Sequence, residues 1–343
     1  MISLSDDSLE QLACCELCEH RCRVNRLLGE RGVCRMGLPE VASAGLHPAP
    51  PQSFTIFTAG CNFKCLFCQN WTISQHPDNT GSTGPIIGWW DPASLAREAL
   101  RQLNSDVGRA IGADRIFFSG GEPTIHLPYV EEVVAAAREL APETKVNFDT
   151  NGFMTPESLE RILRWTTSIT YDLKAFSDET HRALTGARVE PVLRNARILA
   201  REAPEKLWEF RIVVIPGINE DEVEPLSHFL AELDPDLPTC FLAFRPNFVL
   251  ADHPGASSRL LETCVERARA AGLRRASWAG RPDLPGKEGL LRPPPGDPYS
   301  GGGALMAGAY AFRAGCATHP RNCGGCRQAQ TCSVKRHVPR RHT

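Results

Sequence analysis

Short apolar runs alternate with amphipathic runs through the middle of the chain. Six runs read as strands: Phe54–Thr58, Arg115–Phe118, Lys145–Asp149, Ser168–Leu173, Glu209–Ile215 and Cys240–Arg245. Each is rich in β-branched or aromatic residues, which suit a pleated, buried surface. Between them, Pro92–Leu103, Pro128–Leu140, Pro156–Trp165, Pro191–Glu202, Asp221–Leu233 and Ser257–Ala271 carry apolar positions at helical spacing. Several open on proline, whose missing N–H costs nothing in a first helical turn. Such strand–helix repeats imply a parallel sheet with right-handed crossovers. The expected fold is α/β, an open partial (β/α)6 barrel of the TIM-like kind.

The ends break this pattern. The proline-rich joint His47-Pro48-Ala49-Pro50-Pro51 sets off a Cys-rich module, residues 1–52, from the barrel, residues 53–280. Arg281–Gly303 is dense in Pro and Gly and reads as a linker, so residues 281–343 form a linker and a Cys-rich tail. With 343 residues the chain suffices for one large α/β domain with appendages.

Charge is balanced, 38 Lys+Arg against 40 Asp+Glu, which argues against a nucleic-acid partner. The basic run from Lys335 to His342 reads as a solvated tail, with a nucleic-acid or acidic-partner contact as the alternative. No apolar run reaches membrane-spanning length, and the acidic start Met1–Asp7 lacks a secretory pattern. A cytoplasmic protein with no membrane partner is expected. In that compartment fourteen cysteines point to metal or redox use, not disulfides.

The cysteines fall into groups. Cys61, Cys65 and Cys68 stand at C-x3-C-x2-C directly after the first strand run. Three thiolates can hold three irons of a [4Fe–4S] cube and leave the fourth open, whereas an electron-carrying cluster normally takes four. A zinc site, or a cluster borrowing a distant fourth cysteine, is the plainer alternative. Cys15, Cys18, Cys22 and Cys34 form an N-terminal group, and Cys316, Cys323, Cys326 and Cys332 a C-terminal one. Four soft ligands fit zinc or an iron–sulfur cluster equally, so both metals stay open at both groups. Cys240, Cys264 and one of Cys14 and Cys15 read as packed thiols.

Further motifs follow other strand runs. Gly120-Gly121-Glu122-Pro123 closes the second; its glycines permit close backbone approach, and its carboxylate can accept from an ammonium group. Asp149-Thr150-Asn151-Gly152 closes the third, Asp172 and Lys174 the fourth, and Pro216-Gly217 the fifth. Ordinary turns and a buried Asp–Lys pair are the plainer readings. Yet chemistry in parallel barrels collects at the C-terminal ends of strands, where all these motifs lie.

The triad with Gly120–Pro123 resembles the radical SAM superfamily. Gly60–Gln75 and Asp172–Ser177 are similar to the radical SAM proteins of the AmmeMemoRadiSam system. The N-terminal cysteine module, with Val24-Asn25-Arg26-Leu27, resembles pyruvate formate-lyase activating enzyme homologues. The resemblance covers about residues 14–250 and weakens beyond Arg245. It implies a [4Fe–4S] cluster on Cys61, Cys65 and Cys68 and S-adenosylmethionine on the open iron. Phe67 would pack near adenine, and Gly120, Gly121, Glu122 and Pro123 would bind the aminoacyl end. Thr150 and Asn151 would join the cofactor site, and Asp149, Thr150 and Asp172 would hold a monovalent cation. Lys174 and Arg211 would lie near the cofactor, with a salt bridge within the barrel as the alternative for Arg211. The C-terminal group is similar in position to the auxiliary-cluster tails of some superfamily members.

The implied chemistry starts with one electron from a flavodoxin or ferredoxin. Cleavage of S-adenosylmethionine then gives a 5′-deoxyadenosyl radical, which takes hydrogen from a substrate. That substrate is unidentified; a protein or peptide, including a glycyl radical enzyme, is the class the resemblance implies. The cofactor carries the reaction, so no catalytic side chain is assigned and none of the ten histidines is singled out. An iron–sulfur electron-transfer or metal-binding scaffold without cofactor cleavage is the alternative.

Overall fold

The computed structural model describes residues 4–79, 86–284, 302–316 and 323–339. Most of the Arg281–Gly303 linker and the end of the basic tail lie outside the described residues. The fold is α/β, with a mostly parallel eight-stranded sheet that does not close. The chain forms two compact units, residues 1–62 with 72–170 and residues 63–71 with 171–343.

The first unit holds β1 (Val41–His47), β2 (Ser53–Thr58), β3 (Arg115–Gly120) and β4 (Lys145–Thr150), neighbours in that order. β1 runs antiparallel to β2, while β2, β3 and β4 are parallel. Phe54, Ile56, Ile116, Phe118, Val146 and Phe148 are buried along the three parallel strands. These alternate positions share one face, and Thr55, Phe117 and Asn147 are buried on the other. Helices Pro92–Leu103 and Pro156–Trp165 start at the residues expected. Asp91 and Thr155 cap them by accepting from the N–H of Ser94 and Ser158, and proline follows each cap.

β5 (Ser168–Asp172) begins in the first unit and ends in the second. The second unit also holds β6 (Leu207–Val214), β7 (Thr239–Ala243) and β8 (Ala276–Ala279), parallel neighbours. Ser257 turns out to be a cap, accepting from Leu260 N–H, so its helix begins at Ser258.

β1 and β8 escape the sequence pattern because Val-Ala-Ser-Ala-Gly-Leu-His and Ala-Ser-Trp-Ala are poor in strand-forming residues. The tail is not all linker: Gly303–Arg313 is a helix that buries Ala307, Tyr310 and Ala311. Its alanine-rich sequence favours helix once neighbours cover one face. The reading of the basic run as solvated fails at Lys335, which is buried, and His337 meets the Phe248 ring edge-on at 5.6 Å.

Candidate functional site

Register brings the motifs of the first unit together. Thr58, at the end of β2, lies opposite Gly120 at the end of β3. The glycine pair does permit a close approach, but to the chain itself. A Cβ on Gly120 would sit 2.3 Å from Thr58 N, and one on Gly121 would sit 1.7 Å from Gly60 O. Gly121 N–H donates to Thr58 O at 2.9 Å and Glu122 N–H to Gly60 O at 3.0 Å. The Gly-Gly turn is thereby pinned beside the chain that leads into Cys61.

Glu122 is the centre of this unit's site. Its Oε1 accepts from Thr124 N–H at 3.1 Å, Thr124 Oγ1 at 2.6 Å and Thr150 Oγ1 at 2.8 Å. Its Oε2 accepts from Asn151 N–H at 2.8 Å. Burial pushes its carboxyl up to about 7, against the pull of these donors. The carboxylate thus ties the β3 loop to the β4 loop, and Oε2 is its less crowded oxygen. Asn151 extends the link: its Nδ2 donates to Asn62 Oδ1 at 2.8 Å and approaches Cys61 Sγ at 3.8 Å. Asp149 accepts from Ser119 Oγ at 2.6 Å.

The second unit gathers Cys65, Cys68, Phe67, Asp172, Lys174 and Arg211. Burial pushes the Cys65 thiol up to about 12, with Lys174 pulling it down and Cys68 and Asp172 pushing it further up. Asp172 accepts from Lys174 Nζ at 2.8 Å and from Arg211 Nε at 3.0 Å. Burial raises its carboxyl, but Arg211 and Lys174 outweigh that and hold it below its ordinary value. Lys174 Nζ also stands 5.8 Å from the centre of the buried Phe67 ring, within cation–π range. Arg211 therefore takes part in the barrel salt bridge that the sequence left as its alternative.

Sequence reasoning missed three supporting residues. Asn219 donates to Lys174 O at 3.1 Å and Val213 O at 2.8 Å, and accepts from Ile215 N–H at 2.7 Å. It holds the Lys174 loop to β6. Arg26 and Lys64 are buried cations beside the outer cysteine groups. A basic residue inside a cysteine motif is the signal that could have found Lys64.

Those outer groups each line one pocket. Cys15, Cys18, Cys22 and Cys34 line a small pocket with Arg26. Cys316, Cys323, Cys326 and Cys332 line another with Lys64. Among the described residues, no three His, Cys, Asp or Glu side chains are already gathered as a metal-ligand set. Cys240 and Cys264 are buried singles, as packed thiols should be.

Comparison with known proteins gives the family. The Radical SAM superfamily profile matches residues 55–230, half of the chain, and the chain belongs to that superfamily. Membership makes it a radical SAM enzyme, a class that uses a [4Fe–4S] cluster and S-adenosylmethionine. An uncharacterized protein of Methanocaldococcus jannaschii is 26% identical over 325 residues, 88% of each chain. Pyruvate formate-lyase-activating enzyme of Staphylococcus aureus is 26% identical over 208 residues, 57% of this chain and 76% of that one. The solved structure of Streptococcus suis SuiB aligns with a TM-score of 0.45 and 18% identity, over 66% of this chain and 47% of SuiB. Among the described residues no helix is long and apolar enough to cross a membrane.

Proposed function

We propose that Cys61, Cys65 and Cys68 hold the [4Fe–4S] cluster and that the Gly120–Pro123 and Asp149–Gly152 loops bind S-adenosylmethionine. The observation that supports this most is the hydrogen-bonded chain from Thr124 and Thr150 through Glu122 to Asn151 and Cys61 Sγ. It joins three separate motifs and leads to the first triad sulfur. The donors fit the group: soft thiolates suit iron, and a thiol held up to about 12 by burial gains most from a cation that stabilises its ionised form. When bound, cluster and cofactor supply reductive cleavage and a 5′-deoxyadenosyl radical that abstracts hydrogen.

The chain's own residues bind and orient. Glu122 fixes the two loops, and its Oε2 would receive the cofactor's ammonium. Lys174 and Arg211 orient Asp172, and Phe67 offers a ring face for adenine. A monovalent cation on Asp149, Thr150 and Asp172 belongs to the same reading. If it is correct, Asp149→Ala makes cofactor affinity independent of potassium and sodium.

The substrate class we infer is a protein or peptide, with activation of a glycyl radical enzyme as the specific reaction and a flavodoxin or ferredoxin as electron donor. The likeness to pyruvate formate-lyase-activating enzyme supports this. The place of action is the cytoplasm. At the C-terminal thiols we infer an auxiliary iron–sulfur cluster, with Lys64 as its buried counter-charge.

Anaerobically reconstituted protein should show a reduced-cluster EPR signal that S-adenosylmethionine alters, and should release 5′-deoxyadenosine. The Cys61/Cys65/Cys68→Ala variant should lose both. Undiminished 5′-deoxyadenosine from that variant would refute the assignment. A cluster that binds but never cleaves the cofactor would leave an electron-transfer scaffold.

A further inference from the structure

We propose that Cys15, Cys18, Cys22 and Cys34 bind one zinc ion, and that this site braces the two loops after β3 and β4. The bracing half rests on the reading of those loops as the cofactor site.

The four thiols face a single pocket with Arg26, His20 and Gly32. Cys18 and Cys34 are each 8% exposed, and Cys15 and Cys22 are partly buried. Gly32 lies so near that a Cβ there would stand 2.7 Å from Cys22 Sγ.

Arg26 supplies the independent observation. It is 2% exposed, and among the described residues no carboxylate pairs with it. Its Nε donates to Gly37 O and its Nη1 to Ile125 O, each at 2.6 Å. Nη1 also lies 3.9 Å from Cys15 Sγ, and the buried Nη2 has no hydrogen-bond partner. A buried guanidinium needs an anion beside it. Four neutral thiols do not provide one. Zinc with four thiolates does: four protons leave, one divalent ion enters, the set carries two negative charges, and no electron moves. Three of the ligands come from the short stretch Cys15–Cys22, too small to bury a core of its own. Metal binding supplies the folding energy of such modules.

The bracing contacts reach both loops. Ile125, held by Arg26, belongs to the turn Pro123–His126 that follows Glu122. Cys18 pairs with Met154 as an isolated antiparallel bridge, and Glu19 N–H donates to Phe153 O at 3.2 Å. His20 Nε2 bonds Asn62 O at 2.9 Å, and its ring lies 4.8 Å from that of Phe153.

The test uses the full chain carrying Cys61/Cys65/Cys68→Ala, so that the triad contributes no metal. Zinc, iron and sulfide are counted with and without added Cys18→Ala/Cys34→Ala. We expect the added pair to remove one equivalent of zinc, together with a thiolate-to-cobalt absorption band formed when Co²⁺ replaces zinc. Hydrogen exchange at residues 122–127 and 151–155 should quicken about tenfold when a chelator strips the zinc, and recover on re-addition. Equal zinc in the two variants, or iron and sulfide in its place, overturns the zinc site. Unchanged exchange overturns the brace. If the Cys18/Cys34 variant does not fold, chelation and re-addition decide alone: absence of a zinc-dependent cobalt band overturns the site. Failure of the cofactor reading shows separately, as missing 5′-deoxyadenosine from the unsubstituted protein.

Discussion

The two outer thiol pockets look alike in sequence and are walled by different cations. Four cysteines and one buried basic residue make each. In the N-terminal pocket that residue is Arg26, whose planar fork spends itself on Gly37 O and Ile125 O and only approaches a sulfur. In the C-terminal pocket it is Lys64, a point charge. Burial lowers its ammonium, but Cys323 and Cys332 outweigh that and raise it. An arginine that bonds backbone on two sides is a strut as well as a charge, whereas a lysine set among thiols is chiefly a charge. The difference teaches that equal sets of thiols need not be held alike: Arg26 ties its pocket to two backbone carbonyls, whereas Lys64 is set among the thiols themselves.

The largest effect should come from removing the strut. Arg26→Ala leaves two buried carbonyls without donors and, with metal bound, an uncompensated anionic site. We expect a loss of about 3–5 kcal/mol of stability, read by chemical denaturation of the zinc-loaded protein. Arg26→Lys keeps the charge and loses the fork, and should recover less than half of that. Full recovery by lysine would erase the distinction between strut and charge.

A pH scan sharpens the same contrast from the cofactor side. The Glu122 carboxyl titrates at about 7 when folded, raised by burial above its ordinary 4.5. The folded state therefore holds its proton more tightly than the unfolded chain. That contribution is fully present below pH about 4.5 and is lost as pH rises through about 7. It amounts to at most about 3 kcal/mol. Thiolate–metal sites have the opposite sign, since protons displace the metal as pH falls. Stability of metal-free protein should thus decline from pH 5 to 7, and Glu122→Gln should flatten the decline. Metal-loaded protein should show a compensating rise over the same range. A flat profile in metal-free protein would show that the donors around Glu122 outweigh its burial.

Next come the glycines that touch sulfur. Gly186 has φ +79°, and a Cβ there would meet Cys323 Sγ at 2.2 Å. Gly186→Ala combines left-handed strain with a clash and should cost about 1–3 kcal/mol, along with C-terminal metal. Gly32→Ala meets Cys22 Sγ at 2.7 Å without a strained φ. It should cost less stability and show mainly as weaker zinc binding in a chelator competition. The reverse order would mean that the N-terminal pocket is the less tolerant of the two.

Much of this was legible in the sequence because strand ends carry the chemistry. The six central strands were readable from β-branched and aromatic runs, and capped, proline-led helices such as Pro92–Leu103 from their first residues. β1 and β8 were not, because pairing with a neighbouring strand, and not their own composition, makes them strands. Glu122 could be named as important, but its four donors could not, since Thr124, Thr150 and Asn151 meet it only through the register of β3 and β4. Arg26 was quoted only as part of a resemblance. Nothing local marks an arginine as buried when its partners are a carbonyl 99 residues away and another 11 away.

The smallest expected effect is the most diagnostic for the C-terminal pocket. Lys64 is 6% exposed and lines the pocket with Cys323 and Cys332, so its charge is felt there with little screening by water. Lys64→Met keeps the aliphatic stem and removes the ammonium. Because few backbone contacts depend on that ammonium, stability should fall by only about 1–2 kcal/mol. The redox consequence should be clearer. Reduction adds negative charge, which a nearby cation favours, so an iron–sulfur cluster on Cys316, Cys323, Cys326 and Cys332 should become harder to reduce without Lys64. A tenfold bias corresponds to about 60 mV for one electron, and a shift of that order toward negative potential is expected in an EPR-monitored titration of the Cys61/Cys65/Cys68→Ala variant. Lys64→Arg should restore the potential, since charge alone is at issue. If that protein holds zinc in place of iron, no potential exists to shift, and the C-terminal pocket joins the N-terminal one as a second strut.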